Sequence, residues 1–120
     1  ENKHSIPMKI HFEVDSDVLS ETSHHPLNVL ATFLYENTDL TKVEVHGHTD
    51  ARGTHSYNLD LSKRRSDSVI SYLVAKGIEE SRLVGKGFGA TRPAQEGSEE
   101  LAWSRNRRVE FVITQRRRSR

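Results

Sequence analysis

Asp50 and Arg65 are the two residues whose types and spacing most suggest chemistry. Asp50 stands just past an alternating apolar run, and Arg65 follows fifteen residues later in a stretch with helical periodicity. At 3.6 residues per turn, Arg64 points away from the apolar stripe of that helix while Arg65 sits at its margin. Asn58, seven residues earlier, shares the same margin about 10.5 Å along the axis. A carboxylate and a guanidinium at one corner have two readings. Spacing alone favours a mutual ion pair that closes the strand–helix corner, since such pairs are common and weak. The alternative is a split receptor for a zwitterion, the carboxylate taking an ammonium group and the planar guanidinium taking a carboxylate through two bonds.

Other chemistries find less support. His46, His48 and His55 cluster around Asp50, and His46 and His48, two apart on a strand, share a face and would make a pair of metal ligands. A metal-dependent hydrolase also needs a held water and a placed general base, and no His-Glu-x-x-His pairing occurs. Ser62 and Ser66 fall on a buried helix stripe, and no Gly-x-Ser-x-Gly elbow is present. Neither an enzyme nor a cofactor is therefore expected. Lys63-Arg64-Arg65, Arg105 to Arg108 and the terminal arginines would serve a polyanion or nucleic-acid binder. Against this stand a formal net charge of +1 and only 7% aromatic residues for base stacking. Nucleic acid is not expected as a partner.

The elements that must position Asp50 and Arg65 are legible as a pattern. The 120 residues fit one domain. Cysteine is absent, which excludes a disulfide scaffold, and no apolar run approaches the ~20 residues of a spanning helix. Met8, Ile10, Phe12 and Val14 alternate with polar residues and predict a first strand. Pro26 with Leu27, Leu30, Ala31 and Leu34 predicts a helix closed by Asn37-Thr38-Asp39. Val43 and Val45 predict a second strand running into Gly47-His48-Thr49-Asp50. Leu59, Ser62, Ser66, Val69, Ile70 and Leu73 predict a second helix capped by Lys76-Gly77-Ile78. A glycine-rich strand over 82–88, a short helical piece around 99–104 and a last strand over 109–113 follow. The expected fold is α+β, a two-layer sandwich in β-α-β-α-β-β order with a mixed four-stranded sheet and helices on one face. The domain is expected to span residues 5–114, with 115–120 a disordered basic tail.

The run Val45-His46-Gly47-His48-Thr49-Asp50-Ala51-Arg52-Gly53-Thr54, followed by Tyr57-Asn58, Leu61-Ser62 and Arg65, resembles the OmpA-like (OmpA/MotB C-terminal) peptidoglycan-binding domain. Gly87-Phe88-Gly89, Pro93 and Asn106-Arg107-Arg108-Val109-Glu110 recur in the matching order. The Arg-Gly-Thr after the aspartate and the approach Trp103 to Arg108 are most similar to the peptidoglycan-associated lipoprotein branch. The resemblance covers residues 8 to 114. It implies non-catalytic binding of the meso-diaminopimelate in the peptidoglycan peptide stem. It also implies a periplasmic location at the outer membrane, a membrane tether outside this segment, and, for that branch, Tol-type protein partners.

By the same resemblance Asp50 receives the diaminopimelate amine, Arg65 its carboxylate, and Asn58 contacts the ligand from the helix. Asp15 stands at a loop position that contacts ligand in relatives and is often asparagine there. Thr49, Ala51 and Arg52 would offer backbone groups; the bulky Arg52 side chain is either a gate or a bystander. Arg107 would meet the peptide or brace the site, and a ring nitrogen of His48 would hold the loop backbone.

Overall fold

In the computed structural model, which describes residues 4–13, 15–97 and 99–117, the alternation of Val43 and Val45 becomes the centre of a four-stranded sheet. The strands are β1 (His4–Met8), β2 (Leu40–His48), β3 (Leu83–Gly87) and β4 (Arg108–Arg116), in spatial order β1-β4-β2-β3. β4 runs antiparallel to both β1 and β2, whereas β2 and β3 are parallel. The parallel pair requires a crossover, and this is supplied by α2 (His55–Ala75). The helix α1 (His24–Glu36) precedes β2, and a short α3 (Glu100–Asn106) precedes β4.

Both long helices lie on one face. Leu27, Leu30, Ala31 and Leu34 of α1 and Val69 and Leu73 of α2 share one core with Val43, Val45, Leu83, Val109 and Phe111. That is the i, i+3, i+4, i+7 stripe closing on the period-two stripe of the sheet. The helix α2 ends as its sequence demands. Gly77 takes φ +103°, Ile78 N–H donates to Leu73 O at 3.1 Å and Gly77 N–H to Val74 O at 2.9 Å, a complete Schellman motif. Its N-terminal half lies against the strands themselves. A Cβ on Gly47 would stand 2.4 Å from Ser62 O, and one on Gly87 would stand 2.4 Å from Lys63 N, so only glycine admits the helix at this depth.

Two expectations need correction. The alternating run after Met8 does not continue the first strand; β1 lies earlier, at His4–Met8, and Val14 is outside the described residues. Ile10 is buried and Phe12 half-buried, so the alternation reports burial, but the backbone has left the sheet. Phe12 instead bridges to Leu19 across a turn in which Asp15 adopts φ 49°. The expected start of the basic tail at residue 115 also does not hold. β4 runs to Arg116 because β2 starts at Leu40 and offers it partners, pairing Lys42 with Gln115 and Leu40 with Arg116. Thr41 Oγ1 donates to Gln115 Oε1 at 3.0 Å and Arg117 N–H to Asp39 O at 2.7 Å. Residues 118–120 lie outside the described residues.

The sheet has two poles. His4 pairs with Ile113 and Leu40 with Arg116 at one pole; Met8 pairs with Val109 and His48 with Arg108 at the other. Asp50, the N-terminus of α2 and Arg107 all belong to the second pole, where β2 and β3 end.

Candidate functional site

At that second pole a cleft of about 520 Å³ opens between the end of β2, the first turns of α2 and the turn carrying Asp15. Asp15, Thr49, Asp50, Arg52, Asn58, Arg65 and Arg107 line it, together with Phe12 and Tyr57. Of the expected site residues only Ala51, which is exposed, is not part of the lining. Sequence positions 15 to 107 therefore converge on one cavity. The convergence follows from the crossover: β2 delivers Asp50, α2 returns Asn58 and Arg65 past it, and Arg107 stands directly before β4, which begins beside the end of β2.

Asp50 and Arg65 do not form the ion pair that spacing favoured. Asp50 is 8% exposed and is engaged by two other arginines. Its Oδ1 accepts Arg52 N–H at 3.0 Å and Arg52 Nε–H at 3.2 Å. Its Oδ2 accepts Arg52 Nη2 and Arg107 Nη1, each at 2.8 Å. Burial raises the carboxyl pKa, but the hydrogen bonds from Arg52 and Arg107 outweigh it and bring the value to about 2. Asp50 thus stays charged at any physiological pH. Arg107 braces the site, holding Asp50 with one nitrogen and Glu100 with the other at 2.8 Å.

Arg65 stands apart from these charges. Its Nε donates to Ser16 O at 2.8 Å and its guanidinium carbon lies 4.8 Å from the centre of the Phe12 ring. Among the described residues no carboxylate lies within ion-pair distance of it. Burial lowers its pKa from the ordinary value, as expected of a partly desolvated cation. Asn58, buried, donates through Nδ2 to Arg52 O at 2.9 Å and fixes the 50–53 loop against α2. Thr54 caps that helix by accepting Tyr57 N–H at 3.2 Å. Asp15 Oδ1 accepts the Tyr57 hydroxyl at 3.5 Å, across the mouth of the cleft.

The histidines do other work. His46 hydrogen-bonds Glu44 at 2.7 Å and packs edge-on against Phe88, while His48 stacks on the same ring at 5.4 Å. Among the described residues no group of three potential ligands gathers to hold a metal. His48 does not hold the loop backbone as the resemblance implied, since neither ring nitrogen has a hydrogen-bond partner among the described residues. The loop is held instead by Thr49 N–H donating to Gly89 O at 2.9 Å. The basic runs are likewise spent on neighbours: Lys63 on Asp67, Arg64 on Asp60 and Asp17, Arg108 on Glu110.

Asn106 stands in the matching motif, but the sequence assigns it no role. It is buried, its Oδ1 accepts Ala94 N–H at 2.6 Å and Gln95 N–H at 2.9 Å, and its Nδ2 donates to Gln95 O. An asparagine directly before Arg107 was the available signal. It clamps the 89–97 loop to the end of α3 and so fixes where Arg107 begins.

His48 gives a stability prediction. Its side chain is 2% exposed, and burial, reinforced by Arg108 and opposed by Glu110, lowers its pKa to about 4. Between the unfolded value near 6.5 and about 4, the unfolded chain binds a proton that the folded chain refuses. Stability is therefore full above pH 6.5 and falls by up to about 3 kcal/mol as pH drops through that window. Urea denaturation at pH 7, 5.5 and 4 is expected to show this loss, and His48→Phe to flatten it. An identical pH slope in the variant would exclude His48 as the cause.

Sheet order, helices on one face and a cleft lined by charges of both signs where the strands end define an α+β domain with one charged cleft at a sheet pole. The chain belongs to the OmpA family, whose match spans residues 11–107. It is 35% identical over 103 residues to the peptidoglycan-associated lipoprotein of Buchnera aphidicola subsp. Baizongia pistaciae, covering 86% of this chain and 59% of that protein. The chain thus spans less than two thirds of that lipoprotein's length. The crystal structure of the peptidoglycan-associated lipoprotein from Burkholderia pseudomallei matches with a TM-score of 0.78 at 28% identity, covering 86% of each chain. The cell wall anchor of the T6SS from Pseudomonas aeruginosa matches with a TM-score of 0.81 at 25% identity, covering 94% of this chain and 82% of that one.

Proposed function

We propose that this domain, over about residues 5–116, binds peptidoglycan without catalysis, through the meso-diaminopimelate of its peptide stem. It thereby anchors the outer membrane, or a membrane complex, to the cell wall. The observation that carries the reading is the separation of charges in one cleft: Asp50 and Arg65 line it together yet each pairs elsewhere. Asp50 and Arg65 could have satisfied each other and do not; held apart across one cavity, they suit the two ends of a zwitterion. Asn58 lines the same cleft and holds the loop that carries Asp50. The names of the similar proteins, two peptidoglycan-associated lipoproteins and a cell wall anchor, support the same reading. Periplasmic placement, a tether beyond this segment and Tol-type partners belong to the proposal as its wider setting.

The test is a titration watched residue by residue by NMR, using stem peptides that carry either meso-diaminopimelate or lysine. Lysine lacks the second carboxylate, so its peptide leaves the desolvated Arg65 unanswered at a cost of about 1–3 kcal/mol. The diaminopimelate peptide is expected to bind at least about tenfold tighter, with shifts centred on residues 49–65. Equal affinities would remove the receptor model.

A further inference from the structure

The carboxylate of Asp50 is fully subscribed before any ligand arrives. An ionised carboxylate has about four lone-pair sites, and four donors already fill them, two on each oxygen. An incoming ammonium must displace one, and the four are not equally held. The Arg52 backbone N–H is fixed by the loop that Asn58 secures. Arg107 is 35% exposed and anchored a second time on Glu100. The Arg52 side chain is 53% exposed, has no other carboxylate within ion-pair distance among the described residues, and supplies two of the four donors, one per oxygen. Its guanidinium carbon lies 4.3 Å from the centre of the Trp103 ring, on a face that can keep hold of it after it leaves the carboxylate. Glu100, one turn before Trp103, attracts the same guanidinium from farther off.

We propose that Arg52 is a latch: an internal cation that occupies the ammonium position on Asp50 in the free domain. It gives that position up to a ligand amine by turning on Trp103 towards Glu100. The inference rests on the diaminopimelate reading for its ligand. The latch keeps the buried carboxylate paired when the cleft is empty. It also sets a threshold for occupancy, because a cation offering fewer or weaker hydrogen bonds than Arg52 leaves it closed. The domain's affinity is thus the ligand's intrinsic affinity reduced by the small fraction of time the latch is open.

The experiment compares the unaltered protein, Arg52→Ala and Arg105→Ala. Arg105 pairs with Gln95 and serves as a control for loss of one positive charge. Each is titrated calorimetrically with the tripeptide L-Ala-γ-D-Glu-meso-diaminopimelate, and the Asp50 carboxyl carbon is followed by NMR against pH in the free protein. Arg52→Ala is expected to bind about three- to tenfold tighter and Arg105→Ala to match the unaltered protein. The Asp50 titration is expected to move upward in Arg52→Ala alone. Equal or weaker binding by Arg52→Ala, with the unaltered protein binding well, overturns the latch. If no protein binds the tripeptide, the diaminopimelate reading fails by itself, and the Asp50 titration still decides: unchanged in Arg52→Ala, it overturns the latch; raised, it supports it.

Discussion

Asp50→Asn is expected to abolish most binding of murein while leaving the domain folded. The substitution keeps the shape and part of the hydrogen bonding but deletes the charge that a ligand ammonium needs. Loss of one partner of a desolvated charge pair costs about 2–5 kcal/mol of binding. Folding has less at stake, because Arg107 keeps Glu100 and the Arg52 side chain reaches solvent. The pH dependence separates the two roles. With its pKa brought down to about 2, the Asp50 carboxylate contributes stability that is complete above its unfolded value near 4 and is lost as pH falls towards 2. The asparagine variant lacks that acid step. Murein pull-down beside chemical denaturation at neutral pH checks both halves. A strongly destabilised variant that still bound murein at full strength would assign Asp50 to the fold rather than the ligand.

The second large effect distinguishes adjacent arginines. Arg65→Ala is expected to remove binding, again by about 2–5 kcal/mol, because the only cleft cation free of a carboxylate disappears among the described residues. Arg65→Lys should not restore it, since an ammonium cannot offer the planar two-point contact of a guanidinium. Arg64→Ala is expected to bind normally and to change stability little: its partners Asp60 and Asp17 are surface groups, and such pairs contribute weakly. Fluorescence anisotropy with a labelled diaminopimelate peptide on all three variants gives the comparison. Binding lost in Arg64→Ala and kept in Arg65→Ala would place the receptor on the wrong side of α2.

The helix phase behind that prediction was readable in the sequence because burial on α2 is periodic: Ser62, Ser66, Val69 and Leu73 are all buried. Local rules also located the Gly77 cap and the end of β2. They misplaced β1, because alternation records which side chains are covered and not which backbone is paired; Ile10 is buried beyond the end of the strand. They shortened β4, because Gln115 and Arg116 are polar and owe their place to the partner strand. Asp50 and Arg65 are legible as a pair, but spacing alone favours a mutual ion pair that the structure does not form; only the resemblance keeps them apart as two ends of a receptor. The partner that braces Asp50, Arg107, is set by the meeting of β2 and β4, and no local rule spans that distance. Arg52 was visible as a residue, yet its grip on both oxygens of Asp50 depends on a loop geometry that only the fold fixes.

The two poles of the sheet carry a mechanical consequence. A pull exerted between the cleft and the outer end of β1 runs along the strands. The five residue pairs joining β1 to β4 would then be strained in shear and share the force, instead of peeling one after another. Drawn from its far pole against a fixed ligand, the domain would meet tension along its stiffest direction, and grip at the cleft, not tearing of the sheet, would set the breaking point.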